Sequence, residues 1–521
     1  MFWQPCLKQT GELTMISHKR LIADCDILVL KHFYLVLLMR LRRAALLAVA
    51  ALVLAATPSL ADMVIKLRNG QVITVPVQPG DIESLSFTGS RTAPSSGTAA
   101  PIALPTATAA VAAAPFSAPS GGAHPPAGAL VLPPMKPDHP SGRVLHVGPS
   151  RELKTPSQAA HEAKDGDVIE IDAADYRGDV AVWKQNDIVI RGVGGRPHLY
   201  ADGDAAEGKA IWVTAGSKIR VENVEFSGCT VGDGNGAAIR AEGAGLSLVN
   251  VYIHDNQDGI LSAPNPKSDI VIENSEFAHN GTTSGSTHGI YIGQVRNFVL
   301  RGSYFHDTVT GHHVKTRALN NYILYNRIMD YPESTASYSI DVSNGGRTYI
   351  IGNVIEKGPR AENYAMIAYA MEGPTNPLQE LYVVGNTMVM DRNSGLFIRS
   401  RSPNPAFVAD NIMTGPGMLI TGAGVFVNNV LAAGARAEPD ELSANGSHGN
   451  RVVRDVEFVD AAHYDYHLRP GSPAIGAGVD PGSAAGFSLR PTYVPLTPLG
   501  IAARATTGLL DAGAIPFQPR N

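Results

Sequence analysis

The sequence predicts an all-β chain whose main body is a right-handed, single-stranded parallel β-helix. Three observations carry this. The first is an internal repeat beyond residue 143: alternating apolar residues, usually an Asn, a second short alternation, then polar turn residues. It reads Ile219-Arg-Val-Glu-Asn223, Leu246-Ser-Leu-Val-Asn250, Ile270-Val-Ile-Glu-Asn274, Tyr322-Ile-Leu-Tyr-Asn326 and Tyr349-Ile-Ile-Gly-Asn353, with weaker copies ending at Gly302, Asn386, Asn411 and Asn429. From Asn223 to Asn353, with Gly302 as the fourth anchor, the spacings are 27, 24, 28, 24 and 27 residues. The second is another short strand in each unit, at Ala210-Ile-Trp-Val, Ala238-Ile-Arg-Ala, Gly259-Ile-Leu-Ser, Gly289-Ile-Tyr-Ile and Ser339-Ile-Asp-Val. The third is composition: 53 glycines in 521 residues with only 17% charged residues, a turn-rich chain with aliphatic content enough for a core.

Short strands repeated every 20–50 residues stack as a solenoid. A leucine-rich horseshoe lacks its Leu-x-x-Leu-x-Leu frame here, and a propeller needs a period of about 40–45. The recurring Asn is expected at bends, where left-handed geometry is tolerated and its amide bonds local backbone or stacks as a ladder.

The elements before the solenoid follow in order. Residues 1–61 read as a signal region. Arg40, Arg42 and Arg43 precede the apolar run Ala44 to Ala56, and Ser59-Leu60-Ala61 gives a small-x-small site, so cleavage is expected after Ala61, with Met39 as the true start. A membrane anchor over 27–56 is the competing reading, and Lys31, His32 and the three arginines interrupt it. The expected protein is therefore exported, periplasmic or extracellular, with no stable membrane span after cleavage. Residues 62–90 read as a small β module, with Val64–Leu67 and Val72–Val75 around an Asn69-Gly70 turn and Ile82–Phe87 as a third strand. Residues 91–142 read as a disordered Ala/Pro/Ser/Gly linker. The β-helix is expected over 143–457 and a closing segment over 458–521.

Charge and cysteine exclude several classes. The net charge of −5 offers no basic excess for nucleic acid. Three cysteines make no disulfide scaffold, and export with cleavage after Ala61 leaves Cys229 alone. Gly192-Val-Gly-Gly195 has no strand–glycine–helix context and reads as a turn. Asn280-Gly-Thr282 matches a glycosylation acceptor.

Over roughly residues 143–515 the chain resembles the secreted right-handed β-helix repeat proteins of the pectate-lyase-like superfamily. The resemblance rests at the front on Val144-Leu-His-Val-Gly148, Ala159-Ala160 and Gly166-Asp-Val-Ile169, which look like an opening strand, a capping helix and a first coil. At the back it rests on Phe458-Val-Asp460, Tyr466-His-Leu468, Gly471-Ser-Pro-Ala-Ile475 and Asp511-Ala-Gly-Ala514, which look like a closing motif. Lyases, epimerases, hydrolases and binders share such signatures, so they imply an architecture and no single reaction.

The second strands align on Ile211, Ile239, Ile260, Ile290, Val314, Ile340 and Ile367, one coil spacing of about 4.8 Å apart. Alternation sends these inward and their neighbours outward. Outward positions in one coil are then His313, Lys315 and Arg317, with Tyr291 below Lys315 and Asp341 above it. Trp212 and Arg240 fall at the same outward position in earlier coils; Trp212 reads either as a sugar-stacking platform or as an outward aromatic covered by the loop 229–237. Glu372, Tyr369 and Asn363 extend the polar strip upward, with a solvated edge as their plainer reading.

This set suits an acidic polysaccharide. Removing the C5 proton of a uronate needs its carboxylate neutralised, a base and an acid. Arg317 suits the first role, Lys315 the second and Tyr291 the third. Asp341 beside Lys315 opposes the base role, which makes His313 the alternative base. A surface ion-pair ladder of Lys315 with Asp341 is the plain structural reading. Val314-Lys315-Thr316 followed by Asn320-Asn321-Tyr-Ile-Leu-Tyr-Asn326 also looks like the lysine-bearing coil of alginate lyases and chondroitinase B, which implies Lys315 as base. The arginine that this resemblance places one coil later falls at Ser339–Ser343, where this chain has Asp341. A divalent cation such as calcium is the cofactor it implies, with no ligand set evident.

Two residues before the aligned position stand Asp258, His288 and His312. They read either as an acid–base or metal column or as a hydrogen-bonded ladder within a bend. Two further functions stay open: a noncatalytic binder or envelope scaffold using the same strip, and a polygalacturonase-type hydrolase using Asp255 with Asp258.

Overall fold

The computed structural model describes the backbone of residues 61–66 and 72–77, and residues 142–519 except 439, 444 and 506–508. The signal region, the Asn69-Gly70 turn, the third strand of the small module and the linker lie outside the described residues. Ala61–Lys66 and Val72–Val77 pair antiparallel, Val64 opposite Thr74 and Ile65 opposite Ile73.

In the second unit three long parallel sheets wind as one β-helix. Along each coil the chain passes through sheet I (ten strands), sheet II (twelve) and sheet III (twelve). Alternation decides the core. Sheet I points Trp212, Ile239, Ile260, Ile290, Val314, Ile340 and Ile367 inward in one register column. Sheet II contributes Val221, Leu248, Ile272, Leu300, Ile323 and Ile350, and sheet III Phe226, Ile253, Phe277, Phe305 and Ile328. All are buried in one cluster. Each is worth about 1.5–3 kcal/mol of transfer free energy, so the repeat itself holds the solenoid together. Helix α1 (Pro156–Glu162), started by a proline in its first turn, packs Ala159 and Ala160 into the same cluster beside the first coils.

One expectation is corrected here. Ile239 pairs with Trp212, not with Ile211. A one-residue slip exchanges the faces of a strand, so Trp212 points into the core, fully buried and edge-on to Trp183 at 5.3 Å and Phe226 at 4.9 Å. It offers no platform to a sugar.

The recurring Asn occupies two positions that the repeat runs together. Asn223, Asn250 and Asn274 take the left-handed conformation at the bend between sheets II and III. From the coil of residue 326 onward the Asn stands one place later, while Tyr325 (φ 57°) and Gly352 (φ 67°) take the left-handed place. The displaced side chains form a buried ladder: the N–H groups of Asn326, Asn353, Asn386 and Asn411 donate to the Oδ1 of Asn353, Asn386, Asn411 and Asn429 at 2.8–3.0 Å. On the next bend Asn280 is buried, its Oδ1 accepting from Asn256 N at 3.2 Å, so this glycosylation acceptor is closed to modification.

The closing segment does more than finish the last coil. Phe458, Tyr466, Leu468, Ala514 and Ile515 cluster with Tyr304, Val354, Ile412 and Val430 of sheet III. Leu489, Phe487 and Ile501 pack against Tyr322, Tyr349 and Ile351 of sheet II. Hydrogen bonds fix this course, including Gly500 N to Gly302 O (2.8 Å) and Ala514 N to Thr387 Oγ1 (3.0 Å). The tail thus runs back over the later coils of sheets II and III, and none of its described contacts falls on sheet I. Among the described residues no helix is long and apolar enough to cross a membrane.

Candidate active site

Sheet I carries an outward column of Arg240, Leu261, Tyr291, Lys315, Asp341, Ala368 and Arg399. Its middle is charged. Lys315 Nζ lies 2.6 Å from Glu372 Oε1 and 3.3 Å from Asp341 Oδ2. Arg317, just past the end of the same strand, donates from Nη2 to Glu372 Oε2, from Nε to the Tyr291 hydroxyl (2.7 Å) and from Nη1 to Asn344 Oδ1 (2.5 Å). Both cations also lie over the Tyr291 ring, at 5.6 and 5.5 Å from its centroid.

The electrostatics follow from unequal burial. Asp341 is buried, so desolvation pushes its carboxyl up even though Lys315 and the Ser343 hydroxyl (2.7 Å) favour the anion. Its Oδ1 and the nearby Ser339 Oγ are buried without a hydrogen-bond partner. Glu372 stands in the turn after the strand Ala365–Tyr369, partly exposed, and its two cations outweigh desolvation and hold it below the usual carboxylate range.

The Asp258–His288–His312 column is a ladder along the bend that leads into sheet I. Asp258 Oδ1 accepts from His288 N (2.8 Å), His288 Nδ1 from His312 N (3.1 Å) and His312 Nδ1 from Tyr338 N (3.1 Å). The two rings stack at 4.8 Å. Burial first, then the Lys315 charge, pushes His288 down to about 3, and burial pushes Asp258 up to about 8. With Nδ1 accepting, each neutral ring carries its proton on Nε2, so neither presents a basic nitrogen outward. Asp258 is enclosed, and Asp255 is drawn to His254 Nδ1 (2.6 Å), so the two carboxylates share no open face for a hydrolase.

His313 is also corrected. Its strand begins at Val314, so strict alternation does not reach it. It is buried, with Nδ1 2.8 Å from Thr308 Oγ1 and Nε2 2.7 Å from Asp330 Oδ1. Asp330 in turn accepts from the buried Lys357 at 2.8 Å. His313 therefore belongs to an internal charge network, closed to any substrate.

Arg240 lies on the column, two coils from Tyr291 across the apolar Leu261, and faces Glu242. Tyr369, expected on the strip, points inward and donates to Gly346 O at 2.6 Å. Glu372, expected to extend the strip, lies in a turn outside the strand alignment. One participant escaped the sequence reading. Arg399, bonded to the Tyr338 hydroxyl at 2.9 Å, continues the column, and extending the alignment by one coil to Ile398 would have found it. Near the strip Asp341 and Glu372 are committed to the cations, so these carboxylates do not form the oxygen cage a calcium ion requires.

A family described as the right handed beta helix region matches residues 200–353. With the sheet topology above, this defines a right-handed parallel β-helix protein. Three solved structures are similar to it. Pectate lyase Pel9A has 12% identity and a TM-score of 0.40, with 72% of this chain and 96% of that chain covered. The PL6 family alginate lyase AlyGC has 15% identity and a TM-score of 0.30, over 60% of this chain and 53% of that chain. The alginate lyase from Paenibacillus sp. str. FPU-7 has 15% identity and a TM-score of 0.25, over 57% of this chain and 94% of that chain. The chain thus spans about half the length of AlyGC. No curated protein matches it in sequence.

Proposed function

We propose that this exported protein binds an acidic polysaccharide along sheet I and acts on its uronic acid residues by lyase or C5-epimerase chemistry. The observation that carries the reading is the partly exposed Glu372 carboxylate bridging Lys315 and Arg317 on sheet I. It stands where a substrate carboxylate would pair with the same two cations.

Displacement of Glu372 by a uronate places the substrate carboxylate on Arg317. Lys315 hands a proton to Asp341 Oδ2, 3.3 Å away, and then takes the C5 proton. In a lyase step the C5–H electrons form the C4–C5 double bond as the C4–O bond breaks. Tyr291, whose oxygen already accepts from Arg317, has its own proton free for the departing oxygen. In an epimerase step the proton returns to the other face of C5.

A panel of uronate polymers incubated with the purified protein tests this. A rise in ultraviolet absorbance from the unsaturated uronate identifies a lyase, and solvent-proton exchange at C5 without cleavage an epimerase. Either activity is expected to fall at least about 100-fold in Lys315→Ala, the scale of one general acid–base group. Saturable binding without turnover, abolished by Arg317→Ala, would instead identify a noncatalytic binder.

A further inference from the structure

The first coils of sheet III present a different chemistry, on a face that the closing segment's apolar cluster does not include. His198, Glu225 and His254 come from three consecutive coils, with Glu225 directly above His198 and His254 two residues along in the next strand. His254 Nε2 lies 3.2 Å and His198 Nδ1 3.6 Å from the same oxygen, Glu225 Oε1. All three donor atoms lie within 4.8 Å of one another.

The opposite nitrogens are already engaged. His254 Nδ1 is 2.6 Å from Asp255 Oδ2, and His198 Nε2 is 2.8 Å from Ser227 Oγ. A proton on His254 Nδ1, donated to Asp255, leaves the Nε2 lone pair facing Glu225. A proton on His198 Nε2, donated to Ser227, leaves its Nδ1 lone pair facing the same carboxylate. Two lone pairs and an anion directed at one point repel unless a cation joins them. A carboxylate or hydroxyl holding the far nitrogen is also how metal-binding imidazoles are oriented.

A second copy of the phrase shows the alternative. Tyr252-Ile-His-Asp255 recurs as Tyr304-Phe-His-Asp307, each histidine stacked on its tyrosine at 4.3 and 4.4 Å. His306 likewise spans Asp307 (2.7 Å) and Glu276 (3.2 Å). There the register position below Glu276 is Tyr252 instead of a histidine, so an imidazolium donating to both carboxylates satisfies the group. His279, the third member on that side, is exposed.

We propose that His198, Glu225 and His254 form a binding site for a divalent transition ion of the zinc class. Two imidazole nitrogens and one carboxylate oxygen suit such an ion, with the remaining position open to water. The site is separate from the sheet I strip.

Titration of the metal-free full chain with zinc, in competition with a chromophoric chelator, tests the site. The expected result is one equivalent bound, with an affinity weakened at least about tenfold in His254→Ala, in His198→Ala and, through orientation alone, in Asp255→Asn. His306→Gln is expected to leave zinc binding unchanged. Glu225→Gln, close in shape, serves should an alanine variant fail to fold, and zinc is expected to raise the melting temperature of the wild type but not of this variant. Absence of saturable binding by the wild type, or binding indifferent to His198, His254 and Glu225, would overturn the proposal.

Discussion

Lys315 and Glu372 are 57 residues apart in sequence, and their Nζ and Oε1 atoms lie 2.6 Å apart. Since Arg317 holds the other oxygen of the same carboxylate, one side chain in a turn pairs with both Lys315 and Arg317. Glu372→Ala removes that competitor, and affinity for a polyuronate is expected to rise about tenfold, on the scale of a charged hydrogen bond removed from competition. Calorimetric titration measures it. A fall in affinity would mean that Glu372 holds the site in shape rather than occupying it.

Trp212 gives the opposite expectation from a surface platform. Trp212→Ala should cost about 3–5 kcal/mol in denaturant unfolding, since the indole fills the core against Trp183 and Phe226. At temperatures where the variant is folded, its affinity for polysaccharide should match the wild type.

The Asp330, Lys357 and His313 network is buried. Burial and Asp330 act against one another on Lys357, with the amine lowered overall, whereas Lys357 and His313 overcome desolvation to hold Asp330 at about 2. Lys357→Met leaves that anion without its main partner and should destabilise the fold by about 3–5 kcal/mol. Adding Asp330→Asn should recover a large part of the loss, a coupling that a double-mutant cycle reads directly.

His306 should make stability depend on pH. Burial lowers it, but hydrogen bonds to Asp307 and Glu276 win and raise it to about 8 from 6.5. Because the folded value is the higher one, the stabilisation is full below about pH 6.5 and is lost as pH rises through about 8, amounting to about 2 kcal/mol. The difference in unfolding free energy between wild type and His306→Gln, followed from pH 6 to 9, checks it. A pH-independent difference would remove His306 as the origin.

The fold was legible because the repeat is written twice per coil. Inward residues such as Ile260, Ile290 and Ile340 are apolar on short alternating strands, and parallel stacking then brings Tyr291, Lys315 and Asp341 into one column. The alignment failed where alternation stops. Aligning Ile211 with Ile239 misses the observed pairing of Trp212 with Ile239 by one residue, and His313 precedes its strand, so neither side chain lies where alternation placed it.

What the sequence alone determined is periodic: the coil, the core column and the outward strip through Lys315, because strand alternation and stacking are local rules repeated. What only the tertiary structure decided is what the turns and the tail do. Glu372 reaches Lys315 across two coils, the segment after residue 458 covers sheets II and III, and His198 meets His254 over Glu225. These pairings depend on where irregular chain packs, and no period in the sequence encodes that.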